Sequence, residues 1–240
     1  MHHRISRLAI FFASFAFGLS CGTTNRAEPY VALDTEQKAR KALDDKDWAA
    51  AVEQYALLVE DYPETYKYRV LYATALAGAG GVELLSVVLD QLGGAGGSSS
   101  GILGLIDQIV PAEVTNEKTA SVKLAVEVLQ AIPDAALEED AELKSSSQLQ
   151  KTVYSSVYTA MLLDSILNIE NGQITPENLA NMTPEQAIQI IDAFILAGSV
   201  GDPSNPLTQA MASAGESING ASGEDAKAKL QEYLNQQQGG

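Results

Sequence analysis

Few side chains in this sequence could do acid–base, nucleophilic or metal chemistry, and where they stand narrows what the protein can be. His2 and His3 are the only histidines and Cys21 is the only cysteine, all at the very start of the chain. A Ser-His-Asp or Cys-His nucleophile, or a His/Cys zinc set, needs such side chains converging from several folded segments. The body of the chain has none to offer. Serine with lysine, or pairs of carboxylates, is what remains. The densest acids, Glu138, Glu139, Asp140 and Glu142, stand in a polar connector, where a charge run reads as a solvated face. Asp164 and Glu170 lie near a helix end with nothing further converging on them in sequence. The expectation is a protein that is not an enzyme, with no catalytic residue, no metal ligand and no cofactor.

Two glycine-rich stretches could in principle hold an ion, and neither fits. Gly93 to Gly101 reads GGAGGSSSG, but a phosphate-cradling loop would continue into Gly-Lys-Ser/Thr, and Ile102-Leu103 follows instead. The stretch is read as a connector of residues 93–101. Asn171-Gly172-Gln173-Ile174 is similar to the centre of an EF-hand loop. Leu167 and Asn178, however, stand where the first and last oxygen ligands belong, so calcium is rejected and Gly172 is read as a helix cap.

The elements behind these residues are helical. Ala and Leu dominate the apolar positions and aromatics are only 6%, a composition that suits closely packed helices. The net charge of −16 repels phosphate backbones and anionic headgroups, which argues against nucleic acid as a partner; it reads as a means of solubility, with attraction to a basic partner as the alternative.

The chain opens with Arg4 and Arg7, an apolar run from Leu8 to Phe17, and Gly18-Leu19-Ser20-Cys21. This is the layout of a signal peptide, and the apolar run is too short to span a bilayer. Its end resembles the lipobox of bacterial lipoproteins, although Leu19 lies two residues before the cysteine, where the family places leucine three before. The resemblance implies that residues 1–20 are removed, that Cys21 is lipidated, and that the protein is held to the membrane by a lipid anchor. Gly22 after the cysteine then implies the outer membrane, with the body on its periplasmic face. An ordinary cleaved signal that leaves a free thiol is the alternative. Residues 21–34, with Pro29 and no helical period up to Ala32, are read as a tether.

From Asp34, read as an N-cap, the pattern becomes that of a helical hairpin. Helix one covers Thr35 to Asp44 with Ala39, Ala42 and Leu43 on one face. A turn at Asp44–Asp47 follows, then helix two from Trp48 with Ala51, Val52, Tyr55, Leu58 and Val59 inward, closed by Pro63. Ala39, Trp48, Ala51, Tyr55 and Pro63 resemble a tetratricopeptide repeat in type and spacing. Thr35, Lys46 and Leu58 depart from it, Lys46 standing where glycine is common. The family's repeat of about 34 residues maps Ala39 onto Ala73, Ala42 onto Leu76, Lys46 onto Gly80, Trp48 onto Val82, Ala51 onto Leu85 and Tyr55 onto Leu89, so residues 35–92 are read as two hairpins.

Residues 102–236 form a further helical region. Helices are expected over Ile102–Val110, over Glu117–Ala131 with Asn116 as cap, and over Ser146–Asn168. They continue from Thr175 and Thr183 as caps, with Gln186 completing a capping box and Ala187, Ile190, Ile191, Phe194 and Ile195 inward, then over Leu207–Ile218 and from a Ser222 cap to Gln236. The stripe Tyr154, Val157, Tyr158, Met161 is read either as core or as the lining of an apolar pocket.

The expected fold is all-α, with tetratricopeptide-like hairpins continuing into an irregular, solenoid-like helical domain. Such stacks carry a concave surface that in the family binds proteins. Tyr62, Tyr66, Tyr68 and Tyr72 are the candidates for that surface, with ordinary packing as the alternative. The functional expectation is a scaffold for a protein partner in the cell envelope. The alternative is a carrier of an apolar small molecule or lipid, such as an accessory component of a transporter.

Overall fold

The computed structural model describes residues 28–83, 101–169 and 173–238. The signal peptide, Cys21, Leu85, Leu89, Gly172 and all but the last residue of the Gly/Ser connector lie outside the described residues. Those described form an all-α fold of 11 helices packed as antiparallel pairs.

Helix α1 (Glu28–Asp44) starts upstream of the expected cap. Asp34 therefore lies within the helix, paired with Lys38 one turn on, and the last part of the expected tether is helical. Pro29 allows this because a proline in the first turn has no amide that an intrahelical bond would need. Helix α2 (Trp48–Asp61) is capped by Asp47, whose side chain accepts from the Ala50 amide at 3.2 Å. Helix α3 spans Tyr66–Ala79.

α1 and α3 end in the same way. In α1 the amide of Asp47 donates to the Ala42 carbonyl and that of Lys46 to Leu43; in α3 Val82 donates to Ala77 and Gly81 to Gly78. This is the paired 6→1 and 5→2 closure that needs a left-handed residue after the helix. Lys46 at φ 56° and Gly81 at φ 84° supply it. The two turns thus align at a spacing of 35, not 34, so Lys46 corresponds to Gly81 rather than Gly80. The buried alanines Ala39 and Ala73 keep the shorter spacing. Turn and packing face are out of step by one residue, and no repeat type is shown.

Ala39 and Ala51 are fully buried and let α1 and α2 approach closely, while Tyr55 and Leu58 fill the space between them. Trp48 lies across α3: a Cβ on Gly78 would stand 2.4 Å from the indole Cε3. α3 is apolar on two sides and belongs to both clusters of the fold. Tyr68 and Ala75 pack with α1 and α2, and Val70, Ala73, Leu76 and Ala77 pack into the main core.

That main core is shared by α4 (Gly101–Ile109), α5 (Asn116–Gln130), α6 (Asp134–Glu139) and α7 (Ala141–Leu167). Thr115, not Asn116, caps α5 by accepting from the Lys118 amide. α7 starts five residues earlier than its apolar period suggests, because Asp140 accepts from the amides of both Glu142 and Leu143. Its end is closed by Asn168 in the left-handed region, which takes the capping part expected of Gly172.

The remaining helices, α8 (Pro176–Asn181), α9 (Pro184–Val200), α10 (Pro206–Gly220) and α11 (Ala226–Gln238), cover the other side of α7. Thr175 and Thr183 cap as expected and Gln186 completes the capping box. α9 continues through Gly198, which faces the α10 backbone at Ala212, and Ile195 points outward with 46% of its surface exposed. At the last helix Asp225 accepts from the Ala228 amide, while Ser222 bonds to Glu232. α7 also carries a buried polar seam. Thr159 donates to the Ala193 carbonyl of α9, and the Thr152 hydroxyl accepts from the Asp202 amide and lies 3.3 Å from that of Thr208.

Candidate functional site

A large opening lies between the first hairpin and the start of α7. It is an open groove of about 830 Å³. One wall is Arg40, Leu43 and Asp44 from the end of α1, with Tyr55 behind them and Glu64, Thr65, Tyr66, Lys67, Val70 and Leu71 from the start of α3. The other is Ala136 and Glu139 of α6, with Asp140, Glu142, Leu143 and Ser146 at the start of α7. The Asp140 cap starts α7 early and so makes Glu142 and Leu143, with Ser146 beyond them, part of one helical wall.

The floor is apolar and the rim is charged. Among the described residues Arg40 and Lys67 are the cations on the lining, and both pair with Glu36, Lys67 at 3.5 Å. Glu36 also accepts from the Tyr68 hydroxyl at 2.8 Å, tying α1 to α3. Burial raises the Glu36 pKa, but the bonds from Tyr68 and Arg40 outweigh it and hold the carboxyl below its ordinary value. Five carboxylates face the two cations. Glu64 accepts from the Tyr66 hydroxyl and Asp140 caps α7. Asp44, Glu139 and Glu142 make no ion pair among the described residues.

Tyr55 is fully buried and lines the groove, and its hydroxyl has no partner among the described residues. Burial pushes its pKa up to about 12, and the charges acting on it are Arg40, Glu36 and Asp44. A neutral, solvent-shielded donor thus belongs to a residue of the groove lining.

The four tyrosines expected to form a binding surface do not act together. Tyr66 alone among them lines the groove. Tyr68 is buried, its ring edge-on to Tyr62 at 6.1 Å and its hydroxyl on Glu36, so it is part of the packing between α1 and α3. Tyr62 and Tyr72 are half-buried against the same hairpin cluster. The packing residues Ala39, Ala51 and Tyr55 lie in the hairpin core, Trp48 bridges α2 to α3, and Pro63 is exposed just past the end of α2.

A second, smaller cavity of about 250 Å³ lies at Ile106, Val110, Pro111, Val114, Asp164 and Ile169. The Tyr154–Tyr158–Met161 stripe lines neither opening. Tyr154, Val157 and Met161 are buried in the main core and Tyr158 packs on its margin. Among the described residues no three His, Cys, Asp or Glu side chains are grouped to hold a metal, and no helix is long and apolar enough to cross a membrane.

Sequence alone reads Glu139, Asp140 and Glu142 as a solvated run, and only Tyr66 of the expected surface reaches the groove. Arg40, Leu43, Asp44, Val70 and Leu143 carry no local signal, since each stands on an ordinary amphipathic helix. No family model, curated protein or solved structure matches the chain.

Proposed function

We propose that the protein is a lipoprotein of a bacterial envelope, anchored through Cys21 to the periplasmic face of the outer membrane, where it acts as a non-enzymatic scaffold. The partner is a protein, and the groove between α1, α3 and the start of α7 is where it docks. The groove carries this reading: an open, apolar-floored channel with a charged rim suits a protein segment, whose side chains bury on the floor while its ends stay in water. The lipobox-like start supports the anchor, and the lack of histidine or cysteine beyond Cys21 supports a binding part over a catalytic one.

The carrier reading places an apolar ligand along the Tyr154–Met161 stripe. The burial of that stripe in the core favours the scaffold instead.

Two variants of the full-length chain test the proposal. Cys21→Ser is expected to move the protein from the membrane to the soluble envelope fraction. Ser146→Trp fills the groove without altering its charge, and it is expected to abolish partner capture from solubilised envelopes while its helical circular dichroism is retained. Membrane retention of the Cys21→Ser protein refutes the anchor. Equal capture by a folded Ser146→Trp protein refutes the docking site.

A further inference from the structure

The groove's charges point to the chemistry of its occupant, an inference that rests on the scaffold reading above. Asp44 is the last residue of α1 and Glu139 the last residue of α6. A helix ends in partial negative charge, so a carboxylate there is repelled, whereas lysine or arginine is favoured. Asp45, one residue beyond Asp44, is neutralised by Lys41. Neither Asp44 nor Glu139 makes an ion pair among the described residues, although the Lys41 charge acts on Asp44 as well as on Asp45, and both cations of the groove pair with Glu36. Glu142 adds a third unpaired carboxylate at the α7 start, where the helix end itself favours it. Helix stability accounts for Glu142 but works against Asp44 and Glu139.

Between these carboxylates the lining is apolar, from Leu43, Val70, Leu71 and Leu143. Behind it, Tyr55 lines the groove with a hydroxyl that is buried and has no partner among the described residues, an expensive state for a donor unless something supplies an acceptor. Apolar floor, anionic rim and a waiting donor fit one kind of occupant.

We propose that the groove binds a cationic amphipathic segment of the partner protein, with its apolar face on Leu43, Leu71 and Leu143, lysine or arginine side chains on Asp44 and Glu139, and an acceptor on the Tyr55 hydroxyl. Charge sets which segments are taken, and the apolar floor holds them.

The test uses the full chain in detergent and three short synthetic peptides, followed by calorimetric titration. The first has leucines on one helical face and lysines on the other. The second keeps the leucines and has glutamates in place of the lysines, and the third keeps the lysines and has glycines in place of the leucines. The leucine–lysine peptide is expected to bind, with affinity falling as salt is raised, and the other two to bind at least about tenfold more weakly. Asp44→Asn with Glu139→Gln is expected to weaken the leucine–lysine peptide by about tenfold, while Glu216→Gln, on the surface of α10, leaves it unchanged. Equal binding of all three peptides, or an equal effect of Glu216→Gln, overturns the proposal by reducing it to adsorption on an acidic surface. No binding of any peptide also overturns it. The two readings fail separately: if Ser146→Trp abolishes partner capture but the Asp44/Glu139 pair does not, the docking groove stands and the cationic-segment proposal is overturned, whereas equal capture by a folded Ser146→Trp protein overturns the groove itself.

Discussion

The contact between Trp48 and Gly78 yields a prediction with a definite sign. A Cβ at residue 78 would lie 2.4 Å, 2.5 Å and 2.7 Å from three carbons of the Trp48 ring. Carbon atoms pack best at about 3.5–4.0 Å, so the ring would have to move by about 1 Å in Gly78→Ala. Overpacking of this kind costs about 1–3 kcal/mol. Alanine in place of a helical glycine returns roughly 0.5–1 kcal/mol of backbone entropy. The net is a loss of about 0–2.5 kcal/mol, centred on roughly 1 kcal/mol, or a few degrees of melting temperature for a domain of this size. In a Trp48→Ala background the ring is gone and only the entropy term remains, so the same Gly78→Ala change should stabilise. Urea unfolding followed by helical circular dichroism in all four proteins of the cycle measures both signs. Trp48 is the only tryptophan, so its fluorescence in the single variant also reports whether the ring has moved. Stabilisation by Gly78→Ala in both backgrounds would refute the packing argument.

Three further outcomes are expected. Glu36 sits below its ordinary value of 4.5 in the folded protein, so the stability it contributes is complete above that value and is lost as pH falls through the lower folded one. Tyr68→Phe removes a bond that holds it there and should flatten the acid limb of melting temperature against pH; an unchanged limb would contradict this. Thr152→Val strands the Asp202 amide and should cost about 1–3 kcal/mol in urea unfolding, whereas Thr208→Val leaves that bond in place and should cost less. The reverse order would be inconsistent with the assigned acceptor. Asp44→Asn and Glu139→Gln each remove a carboxylate from a helix C-terminus and should raise stability by about 0.3–1 kcal/mol at low salt. Destabilisation by both would show that they have stabilising partners.

What was legible in the sequence is what local chemistry decides. Thr175 and Thr183 stand beside the amides they cap, and Ala51, Tyr55 and Leu58 repeat at a helical period, so caps and buried faces can be read in one dimension. Helix starts were harder. Asp34 has the right side chain for a cap, but nothing breaks the helix ahead of it, and α1 runs on back to Glu28. The 35-residue spacing of the α1 and α3 turns was hidden because Lys46 adopts the left-handed conformation without being glycine. The groove was not legible at all. Its walls come from residues 40–71 and 136–146, and what makes Asp44 and Glu139 unusual is that neither has an ion-pair partner among the described residues around a gap that only tertiary packing creates.

The most direct test of the central claim is photo-crosslinking in the intact envelope. A benzophenone side chain placed at Leu43, Ala136 or Ser146 of the full chain is predicted to yield the same crosslinked partner from all three positions. The same group at Ile188, which is exposed on α9, should yield none of it, and Asp44→Lys with Glu139→Lys should abolish the groove adducts. A partner captured equally from Ile188, or groove positions that capture nothing, would contradict a scaffold that docks its partner between the first hairpin and α7.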